Sequence, residues 1–306
     1  MSDQAERLRQ LVRKDTGTPV AETVQEERGP GGARVVAVTS GKGGVGKTSL
    51  AVNLAISMVR EGQKVILIDT DLGLANVDVV MGISPRHNLA DVVSGRRGVT
   101  EVLTPGPGGL EVVPGASGIA ELANLSEAKR GVLLGQLGEL EDRADTIVVD
   151  TAAGVSENVI AFAAAADRVL VIATPEPTSV TDAYATIKLI SRHEGHGELG
   201  LVGNMVSDRA EATKIVQRIS SVADHFLKLE VGSVGYILED PSVPAAIRLR
   251  RPFLLQFPNS RASECVRTIS RRIQEAEHRP KPLGFFRRLG RALSGKSNLG
   301  SLEAVV

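Results

Sequence analysis

Apolar residues along the chain come in short β-branched runs that alternate with stretches of helical spacing. Val35-Val36-Ala37-Val38-Thr39 predicts a buried strand, and residues 48–60, with Leu50, Leu54, Ile56 and Val59 at helical intervals, predict the helix that follows. Four more runs repeat the theme: Val65-Ile66-Leu67-Ile68, Thr146-Ile147-Val148-Val149, Val169-Leu170-Val171-Ile172 and Leu199-Gly200-Leu201-Val202, with helical stretches between them. Continuous apolar strands alternating with helices predict an α/β fold, a doubly wound, mostly parallel sheet with helices on both faces. Ligands of such sheets sit at the carboxyl ends of the strands, so the polar residues that follow each run carry the chemistry.

The first of these junctions is Gly41-Lys42-Gly43-Gly44-Val45-Gly46-Lys47-Thr48, followed by Ser49. It fits the phosphate-cradling P-loop pattern, lies between a predicted strand and a predicted helix, and carries an extra lysine, Lys42, directly after its first glycine. The glycines let backbone N–H groups turn inward around phosphate oxygens, and the helix N-terminus adds its partial positive charge. Lys47 is expected on the β- and γ-phosphates and the Thr48 hydroxyl on Mg²⁺, so ATP and Mg²⁺ are the expected cofactors. The second run ends in Asp69-Thr70-Asp71 and the third in Asp150-Thr151-Ala152-Ala153-Gly154. Carboxylates at strand tips beside a P-loop suit Mg²⁺ and an attacking water, although an aspartate there also caps turns. Asn204, after the run at 199–202, offers either an amide for the edge of a base or a simple turn residue.

Composition narrows the class. The chain has 306 residues, 42% of them hydrophobic, with no apolar run long enough to span a membrane. Its N-terminus lacks the apolar core of a signal peptide, so a cytoplasmic location is expected. Cys265 is the sole cysteine, which excludes intramolecular disulfides and cysteine-only metal or cluster sites within one chain. A formal net charge of zero gives no global pull toward nucleic acid. The histidines show no metal-ligand grouping beyond a loose His193/His196 pair, which reads as an exposed loop.

These motifs resemble the MinD/ParA family of deviant P-loop ATPases, whose fingerprint KGGVGKT stands unbroken at 42–48. The similarity spans residues 33–279, with DTDLGLANVDVVMG at 69–82 as switch I and DTAAG at 150–154 as switch II. It implies slow, dimer-dependent hydrolysis of ATP sandwiched between two copies. Lys42 then reaches the partner's phosphates, Lys47 holds its own, and Asp71 positions the hydrolytic water. By the same resemblance Asp69 and Asp150 support Mg²⁺, Asn204 contacts adenine, and 235–240 forms a later nucleotide-side loop.

The chain ends point to a branch of that family. Asp3, Gln4, Ala5, Leu8 and Arg9 fit the DQAxxLR element of the FlhG (YlxH, FleN) branch, MinD-like regulators of flagellar number and placement. The resemblance implies that this short amphipathic helix binds and stimulates the GTPase FlhF, with flagellar switch-complex proteins or a flagellar transcription regulator as further partners. The segment 1–32 is then a helix plus a flexible linker, 33–279 the ATPase domain, and 280–306 a tail. In that tail Leu283, Phe285, Phe286, Leu289 and Leu293 fall on one side of a helical wheel, and Arg287, Arg288 and Arg291 on the other. Such a helix suits an anionic membrane surface, placing the protein peripherally on the inner face of the cell membrane when ATP-bound; docking on the core is the alternative. A ParA-type DNA-facing surface from Arg248, Arg250, Arg251, Arg267, Arg271 and Arg272, and a division-site MinD, are the other readings, while no nucleic-acid partner is expected.

Overall fold

The computed structural model describes residues 32–71, 76–115, 126–278 and 281–294. The predicted partner-binding residues Asp3, Gln4, Ala5, Leu8 and Arg9 therefore lie outside the described residues.

In chain order the elements are β1 (Arg34–Ser40), α1 (Lys47–Arg60), β2 (Val65–Asp69), α2 (Val77–Met81), α3 (Leu89–Val93), β3 (Thr104–Pro105), β4 (Glu111–Val113), α4 (Glu127–Gly138) and β5 (Thr146–Ala153). There follow α5 (Glu157–Ala165), β6 (Arg168–Ala173), α6 (Pro177–Ile190), β7 (Glu198–Val206), α7 (Arg209–Leu227), β8 (Gly232–Leu238), α8 (Ser242–Arg248), α9 (Phe253–Gln256), α10 (Arg261–Glu275) and α11 (Phe285–Ser294). The strands form one sheet in the order β3-β4-β2-β5-β1-β6-β7-β8. Every pairing is parallel except β3 with β4.

Alternation along the strands shows why the runs are apolar throughout. Val35 and Ala37 face one layer of helices while Val36 and Val38 face the other, so both sides are buried and no position is free to be polar. The first layer contains α4 to α7 and the tail helix α11; the second contains α1, α2 and α8 to α10. The expected doubly wound α/β sheet is thus present. Register then sets the site: Val38 pairs with Asp150 and Asp69 with Asp150, so both strand-end carboxylates reach the rim where β1 enters the P-loop.

The structure revises two boundaries. The stretch 235–240 is mostly strand: 235–238 complete β8, and Asp240 uses its carboxylate on the N–H groups of Ser242 (2.9 Å) and Ala262 (3.1 Å). In the His193/His196 loop Arg192, Glu194 and Gly195 are exposed as expected, while the two histidines are half-buried, and burial together with His196 pushes the His193 imidazole below its ordinary pKa. Among the described residues no group of three or more His, Cys, Asp or Glu is placed to hold a metal ion, and no helix is long and apolar enough to cross a membrane.

Candidate nucleotide site

The P-loop emerges from β1 and closes onto α1 with Gly46 in the left-handed region (φ 89°). A side chain there is excluded twice, by that φ and because a Cβ would meet Asn204 Nδ2 at 2.4 Å. Lys47 is buried at the start of α1, and the Thr48 hydroxyl hydrogen-bonds the Asp150 carboxylate. The loop is braced from below: Ser40 Oγ donates to the Lys42 carbonyl (2.7 Å) and the Gly154 N–H donates to the Ser40 carbonyl (3.0 Å), tying switch II to the phosphate cradle.

Asp150 is the focus of the electrostatics. Burial pushes its pKa up to about 7, with the neighbouring Asp69 adding to the rise and Thr48 and Lys47 opposing it. Its Oδ1 is buried without a hydrogen-bond partner. A desolvated carboxylate with an orphaned oxygen, beside the hydroxyl of a P-loop threonine, is a donor set that fits a hard divalent cation.

Asp69 is engaged differently. Its Oδ1 accepts the Asp71 N–H (2.9 Å) and its Oδ2 the Val77 N–H (3.4 Å), so it ties the end of β2 to the first residue of α2. Burial raises its pKa to about 6, with those two N–H donors opposing the rise. As a metal ligand it is therefore the weaker of the two aspartates, because its oxygens already have donors. Asp71 stands half-buried at the opening of switch I, next to 72–75, which lie outside the described residues.

Asn204 is not a turn residue. It lies inside β7, buried, with Nδ2 donating 2.7 Å to the Val45 carbonyl, and so holds the P-loop from beneath. Gly41, Gly43, Gly44 and Ser49 stand around the loop as expected, and Gly41 is pressed so close to the Asp182 carbonyl that a Cβ would lie 2.5 Å from it.

Lys42 has partners that sequence reasoning missed. Its ammonium forms an ion pair with Glu176 and a hydrogen bond of 3.2 Å with Thr178 Oγ1, both at the entry to α6. The signal was available, since Glu176 and Thr178 follow the run 169–172 by the same strand-end logic that pointed to Asp69 and Asp150.

The tail residues require a correction. α11 forms where predicted and separates into the expected faces, but Phe285, Phe286, Leu289 and Leu293 are buried against α4 and α5 in the core rather than held out for a membrane. Phe285 lies 6.3 Å, ring to ring, from Phe162 of α5. Arg288 also leaves the expected solvent face: it pairs with Asp167 (2.6 Å) and donates to the Ala165 carbonyl (2.8 Å). Glu141 caps the helix by accepting the N–H groups of Phe285 (2.9 Å) and Phe286 (3.1 Å). A Cβ at Gly284 would fall 2.6 Å from the Glu141 carboxylate, so a larger residue there would displace the cap. Arg287 and Arg291 remain on the outer side. Among the arginines weighed as a DNA-facing surface, Arg267 and Arg272 donate to the Pro258 and Val234 carbonyls.

Comparison with known proteins agrees with this geometry. A family model described as an AAA domain matches residues 33–196. The chain is 41% identical over 253 residues to the antiactivator FleN of Pseudomonas aeruginosa, covering 83% of this chain and 90% of that protein. It is 35% identical over 242 residues to the flagellum site-determining protein YlxH of Helicobacter pylori, covering 78% and 81% respectively. Among solved structures, a chain of the MinC:MinD cell division protein complex of Aquifex aeolicus superposes with a TM-score of 0.63 at 28% identity, covering 82% of this chain and all of that one. The chain belongs to the MinD/ParA-type ATPases, in the FleN/YlxH (FlhG) branch.

Proposed function

We propose that this ATPase is a nucleotide-switched homodimer regulating flagellar number and placement, resident on the inner face of the cell membrane when ATP-bound, and stimulating the GTPase FlhF through residues 3–9. The flagellar assignment is supported by similarity to proteins named antiactivator FleN and flagellum site-determining YlxH. The word antiactivator further favours a transcription regulator among the partners. Lys47, Thr48 and Asp150 would hold Mg–ATP, whose metal neutralises phosphate charge when bound. Lys42 would exchange Glu176 for the partner's phosphates, and Asp71 would orient water.

The observation that carries the switch is the docked tail. Phe285, Phe286, Leu289 and Leu293 cover α5, and α5 begins three residues after switch II ends at Gly154. Each of these side chains gains roughly 1.5–3 kcal/mol from burial, and a bilayer interface offers the same gain. For these four side chains core and bilayer are therefore comparable, so the choice rests on the contacts that docking adds, the Glu141 cap and the Arg288–Asp167 pair, which a movement of α5 on ATP-dependent dimerisation would have to break. Two tails on one dimer add avidity that one lacks.

The test is co-sedimentation with anionic vesicles. The Asp71→Ala variant with saturating ATP should pellet as a dimer, and removal of residues 283–293 should leave it in the supernatant with ATP still bound. In parallel, full-length protein should stimulate GTP hydrolysis by FlhF and its Gln4→Ala variant should not. Vesicle binding independent of the tail would overturn the membrane reading; equal stimulation by both forms would overturn the partner reading.

A further inference from the structure

A cleft of about 1000 Å³ runs along the side of α5 that faces away from the sheet, between the C-terminal half of α6 and the outer edge of the tail. The cleft belongs to the docked state, because the tail forms one of its walls. Its floor and walls are apolar, built from Ile160 and Ala164 of α5, Leu189 of α6, and Leu283 and Leu293 of the tail. Its polar groups are sorted by end. At the amino-terminal edge of the strands, where α6 turns into β7, Arg192, His193, His196 and Lys281 line the cleft against one carboxylate, Glu194. Arg288, which is paired with Asp167, and Arg291 also line the cleft from the tail, and beside switch II the acidic residue is Glu157.

The basic end is short of negative charge. Lys281 donates to the carbonyls of Ala166 (3.1 Å) and Gly195 (2.8 Å), and the carboxylate that acts on it, Asp167, is already paired with Arg288. His193 and Lys281 are both held below their ordinary pKa values, each first by burial and then by a neighbouring cationic side chain. An anion placed there would relieve that repulsion. An apolar trough whose basic residues cluster at one end is complementary to a molecule with a single anionic head and an apolar body. A peptide helix is a poorer match, because its polar outer face and both charged termini would have to meet a trough whose sole basic cluster lies at one end.

We infer that this cleft is a binding site for a long-chain fatty acid, its carboxylate on Arg192, His193 and Lys281 and its chain along α5 against the tail. The inference concerns a free single-chain acid bound while the tail is docked: Lys281, Leu283 and Leu293 belong to the tail, whereas Arg192 and His193 lie outside it.

The experiment uses the full-length protein and the fluorescent fatty acid 11-(dansylamino)undecanoate below its aggregation threshold. Saturable emission with one site per chain is expected, displaced by oleate and at least tenfold less well by oleyl alcohol, which has the same chain without the charge. The double variant Arg192→Glu/His193→Glu should weaken probe binding at least tenfold with ATP binding and melting temperature unchanged. Leu189→Asn, a neutral change at a half-buried wall position, should weaken it comparably and guards against a purely electrostatic artefact. Anionic phospholipid vesicles without free acid should leave the probe bound. The assignment is overturned by absence of saturable binding, by equal displacement with oleyl alcohol, by indifference to both variants, by displacement with vesicles alone, or by displacement with an acidic amphipathic peptide where oleate fails.

Discussion

The nucleotide rim and the tail dock are built on opposite principles. At the rim, polar groups are buried and left incomplete: Asp150 has an orphaned oxygen and a raised pKa, and the lysine Lys42 is turned aside onto Glu176. At the dock everything is completed: four apolar side chains are covered, the first N–H groups of α11 are capped by Glu141, and Arg288 meets Asp167. An incomplete site gains when a ligand arrives, whereas a completed one loses when its contacts are exchanged. The molecule thus holds its free energy for binding at one end and its resistance to release at the other. Asp167 joins the two physically, since its second oxygen accepts the Val35 N–H (2.8 Å) at the root of the strand that leads into the P-loop.

The largest effect is expected at the rim. Lys47→Ala removes the buried ammonium aimed at the phosphates and should lower ATP turnover by roughly 10³-fold or more, measured by phosphate release, while the fold persists by circular dichroism. A residual rate within tenfold of the parent would mean that phosphate charge is met elsewhere.

At the dock, Arg288→Ala leaves the Asp167 carboxylate, itself nearly buried, without its cation. Breaking a buried pair in this way costs about 3–5 kcal/mol. The loss should fall on the docked tail, so the variant should bind anionic vesicles without ATP and expose 283–294 to protease. A tail that stays protected would show that the apolar face alone holds it.

Returning to the rim, pH provides an independent probe. A carboxyl whose pKa rises from 3.8 to about 7 on folding keeps its proton longer in the folded state than in the unfolded. Stability of the nucleotide-free protein is then fully present below about pH 4 and is lost progressively as pH rises toward 7. Asp150→Asn should recover on the order of 3 kcal/mol at pH 7.5 and flatten the profile, read from denaturant melts, while abolishing Mg²⁺-dependent nucleotide affinity. If the two profiles run parallel, the buried charge lies elsewhere.

Much of this was legible from residue order, and what was missed shares a cause. The five apolar runs became β1, β2, β5, β6 and β7 because a strand buried on both faces has no polar positions to blur it. β8 was obscured by its glycines and an exposed start, and β3 and β4 by being two and three residues long. The P-loop residues are local in sequence and could be assigned from spacing. The environment of Asn204 could not, since its partner Val45 is 159 residues away, nor could the Glu141 cap, 144 residues from Phe285. Helical periodicity marks which face of the tail is apolar but carries no information on whether lipid or core covers it; α5 decides that through tertiary contact.

The smallest expected change in stability belongs to the residue that marks the family. Lys42 and Glu176 are exposed to solvent on both sides of their ion pair, with 39% and 64% of their side-chain surface accessible. Exposed pairs contribute about 0–1 kcal/mol, so Lys42→Ala should leave the denaturant midpoint almost unmoved. Its effect should appear only where two chains meet: ATP-dependent dimerisation by sedimentation velocity should be lost, together with the dimer-dependent part of hydrolysis, while nucleotide binding to the monomer persists. Glu176→Gln separates two roles for the pair. If Glu176 restrains the lysine in the monomer, its removal should lower the ATP concentration needed for dimerisation; an unchanged requirement would mean that the contact is incidental and that the rim is held back by the completed contacts at the dock.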